Sequence, residues 1–169
     1  MKAKRFLFLT MGWSLVILLL VLLISAIQPK RFPIGSELPQ TILSTCQGTD
    51  TLKTCNSNPT IIMFFNTNCQ YCIHELASFE NHLQDFVNCR IIFITYDDSF
   101  LLCKDPLRWP NLVKAQNVHW AWIEREYLFK QFDNIIVPSL FIFNTNGILM
   151  MKFKGETRID KLPAIIRSL

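Results

Sequence analysis

The sequence predicts an α/β domain, a central mixed sheet flanked by helices, preceded by one N-terminal transmembrane helix. Three observations carry this. The apolar runs at residues 61–65 and 91–94 are separated by a segment with helical apolar spacing. A second pair of apolar runs, 140–143 and 148–151, is divided by Asn144-Thr145-Asn146-Gly147. A 22-residue stretch at 6–27 has only Thr10, Ser14 and Ser25 as polar members. Short continuous apolar runs joined through a helix imply parallel strands buried on both faces, whereas two runs joined at Asn-Gly imply an antiparallel hairpin.

As a helix, residues 6–27 span roughly 33 Å, enough for a hydrocarbon core of about 30 Å. The run is longer than a usual signal-peptide core, and Ile24-Ser25-Ala26 is a poor cleavage site. A retained anchor is therefore expected over residues 1–30, with one domain over 31–169. Lys2, Lys4 and Arg5 precede the span and Lys30 and Arg31 follow it. That small excess, with the terminal amine, favours a cytoplasmic N-terminus and an extracytoplasmic domain, periplasmic if the cell is Gram-negative.

The net charge of +4 belongs to the anchor. Five of the 17 basic residues flank it, leaving 12 against all 13 acids in the remainder. With no Lys/Arg stripe there is no footprint for a phosphate backbone, and nucleic acid is excluded as a partner.

Along the domain, Pro29, Pro33, Gly35 and Pro39 suit a linker and an irregular start. Residues 41–54 alternate weakly around Gly48, as a small hairpin or decorated loop would. Residues 61–65 read as a buried strand, 71–87 as a helix with Ile73, Leu76, Ala77, Leu83, Phe86 and Val87 on one stripe, and 91–94 as a second strand. Residues 98–134 look helical in pieces broken by Pro106 and Pro110, with 118–123 as a short strand. A closing helix over 159–169 packs through Leu162, Ile165 and Ile166. The phenylalanines, 14 in all, and Trp109, Trp120 and Trp122 are expected mostly in the core.

Chemistry concentrates in Cys69-Gln70-Tyr71-Cys72, which places two thiols at the first turn of a helix leaving a strand. Backbone N–H groups and the helix dipole favour a thiolate there, so Cys69 is the expected nucleophile and Cys72 the resolving thiol of a redox-active disulfide. No second CxxC and no Cys/His pair at zinc spacing accompanies them, so no metal and no cofactor is expected. Glu75 follows Cys72 at i+3, on the same side of the helix. Of the other four cysteines, Cys46, Cys55, Cys89 and Cys103, three pairings are possible. Cys46 with Cys55 is the most local, across a polar stretch that reads as a turn, and Cys89 beside an apolar run reads as a small core residue.

A βαβ half, a ββα half, CxxC at the first strand-to-helix junction and Val137-Pro138-Ser139 before the 140–143 strand together resemble the thioredoxin-like superfamily. Within it the chain looks most like membrane-anchored TlpA/ResA-type thiol–disulfide oxidoreductases, known from cytochrome c maturation. The matching parts are the anchor, Ile34-Gly35-Ser36-Glu37-Leu38-Pro39, Cys72-Ile73-His74-Glu75 and the Val137-Pro138-Ser139-Leu140-Phe141-Ile142 stretch. The resemblance implies a cis Pro138 facing the redox pair, main-chain groups of Val137 offered to substrate, and Glu75 assisting proton transfer at Cys72. It implies protein thiol or disulfide substrates and a membrane-embedded electron donor, with the protein acting as the reductant of those substrates. Asn68 and Tyr71 stand where that family usually has Trp and often Pro, so a redox potential does not carry over. Two alternatives are a copper-binding chaperone using His119 and a peroxidase using Thr67, and each makes a geometric demand.

Overall fold

The structure, a computed structural model, describes residues 13, 15–23, 32–55, 57–97 and 108–168. The chain divides into two units, Met1–Lys30 and Arg31–Leu169. In the first, residues 15–23 are helical with their side chains exposed. The expected span at 6–27 lies partly outside the described residues, and among those described no helix is long and apolar enough to cross a membrane.

The second unit runs β1 (Thr41–Thr45), β2 (Gly48–Leu52), β3 (Thr60–Phe65), α1 (Gln70–His82), β4 (Arg90–Thr95), α2 (Pro110–Lys114), β5 (Val118–Trp122), α3 (Arg125–Phe132), β6 (Ser139–Phe143), β7 (Leu149–Lys154) and α4 (Leu162–Ile166). The strands form one mixed sheet in the order β2-β1-β5-β4-β3-β6-β7. β3, β4 and β5 are parallel, and β6 and β7 return antiparallel to β3 and to each other. This is the thioredoxin-like arrangement.

β3 is buried at all six positions because it lies between β4 and β6 with cover on both faces. Its odd positions Ile61, Met63 and Phe65 join Phe79 of α1, Phe93 of β4 and Leu162 of α4 in one core. Its even positions Ile62 and Phe64 join Ile92, Phe132 of α3 and Phe141 in the other. The second core is aromatic, with Phe64 ring centroids 4.9 Å from Phe132 and 5.2 Å from Phe141. Strand alternation thus turns one apolar run into two cores.

The 71–87 helix is shorter than its periodicity suggested. α1 ends at His82, and a 3-10 turn, Leu83–Phe86, completes the stripe with Leu83 and Phe86 buried. Pro110 is not a breaker here but the first residue of α2, where its missing N–H costs nothing. The closing helix is likewise shorter, a 3-10 turn (Ile159–Lys161) leading into α4.

The expected Cys46–Cys55 bridge is corrected. Cys46 is disulfide-bonded, whereas Cys55 is a free thiol. The polar stretch between them is not a closed loop but an antiparallel hairpin, pairing Thr45 with Gly48 at its tip and Thr41 with Leu52 at its base. Cys46 sits at the tip and Cys55 beyond the base, so about 16 Å of strand or more separates them. Cys103 lies outside the described residues.

The β6–β7 turn locks the first loop of the domain in place. Gly147 has φ +76°, and its carbonyl accepts the Leu38 amide at 2.8 Å. A Cβ on Gly147 would lie 2.5 Å from Thr54 Oγ1. Gly147→Ala is therefore expected to cost about 1–3 kcal/mol, from the left-handed backbone plus the clash. In urea unfolding, Thr54→Ala should recover part of that loss in the double variant, and strictly additive losses would show that Thr54 is not the obstacle.

Candidate active site

β3 delivers the chain to the redox motif, and three turn-forming residues redirect it. The Asn66 side chain accepts the Asn68 amide at 2.8 Å, and the Asn66 carbonyl accepts the Cys69 amide at 3.2 Å. Cys69 is then the N-cap of α1, with extended backbone (φ −88°, ψ 114°). Its sulfur accepts the Cys72 amide at 3.3 Å, the place a Ser or Asp oxygen fills in an ordinary cap. A helix start that needs an acceptor for its free N–H groups thereby acquires one that is also a nucleophile.

The second wall comes from the β6 side. The Val137–Pro138 peptide is cis, and the Val137 carbonyl lies 4.0 Å from Cys69 Sγ. Ser139, fully buried at the start of β6, donates its hydroxyl to the Ile136 carbonyl and fixes this loop from below. Cys69 is half-buried and faces the loop, while Cys72 is wholly buried behind it. The structure therefore brings Cys69, Cys72, Val137 and Pro138 together, and both cysteines are free thiols.

Glu75 is the unusual member. Only 1% exposed, it has neither carboxylate oxygen in a hydrogen bond of good geometry. Burial raises its pKa to about 7, with the charge of Glu156 adding, and the nearby Thr157 hydroxyl and amide draw it back only in part. Burial also pushes the Cys72 thiol far above its ordinary value, and the adjoining Cys69 sulfur and Glu75 charge push the same way, against a lowering from the Asn66 backbone. A buried thiol reluctant to ionise stands one helical turn from a carboxylate poised near neutrality.

Several neighbours were not evident in the sequence. Thr67 donates its hydroxyl to Asp97, tying the loop before Cys69 to the end of β4. Thr157 arrives from the turn after β7, with no signal in its local sequence. Tyr71 is 63% exposed, and His74 reaches Glu156 at 3.5 Å on the surface. The copper-chaperone reading is not assembled. His119 pairs across the sheet with Ile92, itself level with Ile62 in the first half of β3, far from the Cys69 end. Among the described residues no group of three or more His, Cys, Asp or Glu is placed to hold a metal ion.

Comparison with known proteins agrees with this fold. The profile of the AhpC/TSA family matches residues 34–152. No curated protein matches the sequence. Solved structures similar to the chain include a peroxiredoxin-like protein from Aquifex aeolicus, with TM-score 0.67 and 12% identity over 82% of this chain and 88% of that one. A putative thiol:disulfide interchange protein DsbE from Chlorobium tepidum gives TM-score 0.64 and 16% identity, covering 81% and 97%. StoA from Bacillus subtilis gives 0.57 and 16%, covering 75% and 95%. At such identities the likeness is one of fold.

The Glu75 shift has a stability consequence of definite sign. A carboxyl whose folded pKa of about 7 exceeds its unfolded value of 4.5 stabilises the fold below pH 4.5, and that contribution is lost as pH rises through 7. The loss is about 3 kcal/mol at most, from 1.36 kcal/mol per unit. Urea unfolding of the reduced protein should show this fall between pH 4.5 and 8, and Glu75→Gln should flatten it. Equal slopes in the two proteins would mean that Glu75 ionises as it does in water.

Proposed function

The chain belongs to the AhpC/TSA family and is a thioredoxin-like thiol–disulfide oxidoreductase, and we propose that it reduces disulfides of extracytoplasmic proteins from a membrane tether. One observation carries the exchange chemistry: Cys69 Sγ caps α1 beside the Val137 carbonyl, with Cys72 buried directly behind it.

The steps follow from that placement. An extended substrate segment lies along Val137 and Pro138, presenting its disulfide to the Cys69 thiolate. Attack forms a Cys69–substrate mixed disulfide and releases the first substrate thiolate. Cys72 then gives its proton to Glu75 and attacks the Cys69 sulfur, releasing the second substrate thiolate and leaving a Cys69–Cys72 disulfide. Two electrons have passed to the substrate, and two protons from the protein thiols end on its sulfurs. A membrane-embedded dithiol donor restores the pair by the reverse exchange.

Electron flow toward the substrate rests on the resemblance to TlpA/ResA-type proteins. The tether rests on the apolar run at 6–27, and the resemblance to TlpA/ResA-type proteins supports both assignments.

Cys72→Ala should accumulate mixed disulfides on Cys69, seen as reductant-sensitive adducts on non-reducing gels, and Cys69→Ala should form none. Glu75→Gln should slow release of the mixed disulfide by about 10²-fold, the usual scale of a positioned base, and abolish the rise of rate with pH near 7. A Cys72→Ala protein that traps nothing from a disulfide-bearing extracytoplasmic extract would end the exchange mechanism.

A further inference from the structure

We propose that Cys55 and Cys89 form a second dithiol site, at the end of the sheet opposite Cys69 and Cys72, which closes into a disulfide by exchange with small-molecule disulfides. Both are free thiols in the structure. Cys89 is buried immediately before β4, and its neighbour Arg90 grips the segment that carries Cys55 from both sides. The Arg90 guanidinium donates to the Lys53 carbonyl at 2.9 Å, and the Arg90 amide donates to the Pro59 carbonyl at 2.9 Å. Residues 53 and 59 are thus pinned to the residue beside Cys89, with Cys55 on the short loop between them.

Cys89 is held from its other side as well. The Asn117 side chain donates to the carbonyls of Phe86 and Cys89, each at 2.9 Å. The two cysteines line a common open groove of about 470 Å³ with Thr54, Asn58, Arg90 and His119. They share solvent-accessible space, on segments whose backbones are already hydrogen-bonded together. β3 and β4 run parallel and in register, Thr60 with Arg90 and Phe65 with Thr95. Cys89 precedes the first pair and Cys69 follows the last, so the two thiol sites are about 20 Å apart or more.

The chemistry balances with a disulfide RSSR, such as oxidised glutathione, as the oxidant. Cys55, partly exposed, attacks one sulfur of RSSR, forming Cys55–S–S–R and releasing RS⁻. Cys89 loses its proton and attacks the Cys55 sulfur, expelling the second RS⁻ and forming the Cys55–Cys89 bond. Two thiols are oxidised, one RSSR becomes two RSH, and the two cysteine protons end on the products. The bond would link the loop before β3 to the loop before β4.

The full-length protein, kept native with oxidised glutathione and then acid-quenched, alkylated and digested without reductant, provides the test. Mass spectrometry should find a peptide pair joined through Cys55 and Cys89, with a mass distinct from the Cys69–Cys72 peptide. Cys89→Ser should instead leave Cys55 carrying one glutathione. Alkylation of both thiols in the wild-type protein, or a Cys55–glutathione adduct that persists with Cys89 present, would overturn the proposal.

Discussion

The hydrogen bond from the Cys72 amide to the Cys69 sulfur joins the covalent chemistry of this protein to its architecture. A central strand buried on both faces must end before a helix can begin, and the first N–H groups of that helix need an acceptor. The sheet supplies the position, because β3 lies between β4 and β6 and leads the chain to where the Val137–Pro138 loop also arrives. The Asn66 turn supplies the direction. The sulfur meets a demand of helix geometry and, in doing so, stands 4.0 Å from the Val137 carbonyl. Phe65 and Leu76, packed beneath, keep that end of the helix from shifting.

Burying Glu75 beside Cys72 costs stability whenever the carboxylate is charged, and no hydrogen bond of good geometry offsets it. The arrangement is intelligible as a trade between the fold and the reaction. A solvated carboxylate with its pKa near 4 is a poor base for a thiol that strongly prefers to keep its proton. Desolvation raises Glu75 toward the range in which it could serve as a base for such a thiol, and burial likewise raises Cys72. Under the proposed exchange mechanism, the stability given up at this carboxyl serves proton transfer at its neighbour.

Much of this was legible in local sequence because its signals are periodic or adjacent. The 61–65 and 91–94 runs announce strands covered on both faces, Asn146-Gly147 announces a hairpin, and Cys69 to Glu75 reads as one helix turn followed by another. What was not legible depends on contacts between distant segments. Cys46 and Cys55 looked like a pair because nine positions separate them, but the hairpin register sends them to opposite ends. Thr157 meets Glu75 only because β7 returns antiparallel to β6, and the Arg90 grip on residues 53 and 59 requires β3 and β4 to be in register. The break of α1 at His82 is equally hidden, since Leu83 and Phe86 keep the apolar spacing that the 3-10 turn also satisfies.

The two thiol sites also differ in a way that explains how one fold can hold both without crossed reactivity. Cys72 and Cys89 are each raised by burial, but Cys72 has a carboxyl with a pKa of about 7 beside it. For Cys89, burial is the cause of a rise to about 11. Separation along β4 prevents direct sulfur transfer between the sites. Exchange at Cys69 and Cys72 and closure of the proposed Cys55–Cys89 pair can therefore proceed independently within one domain.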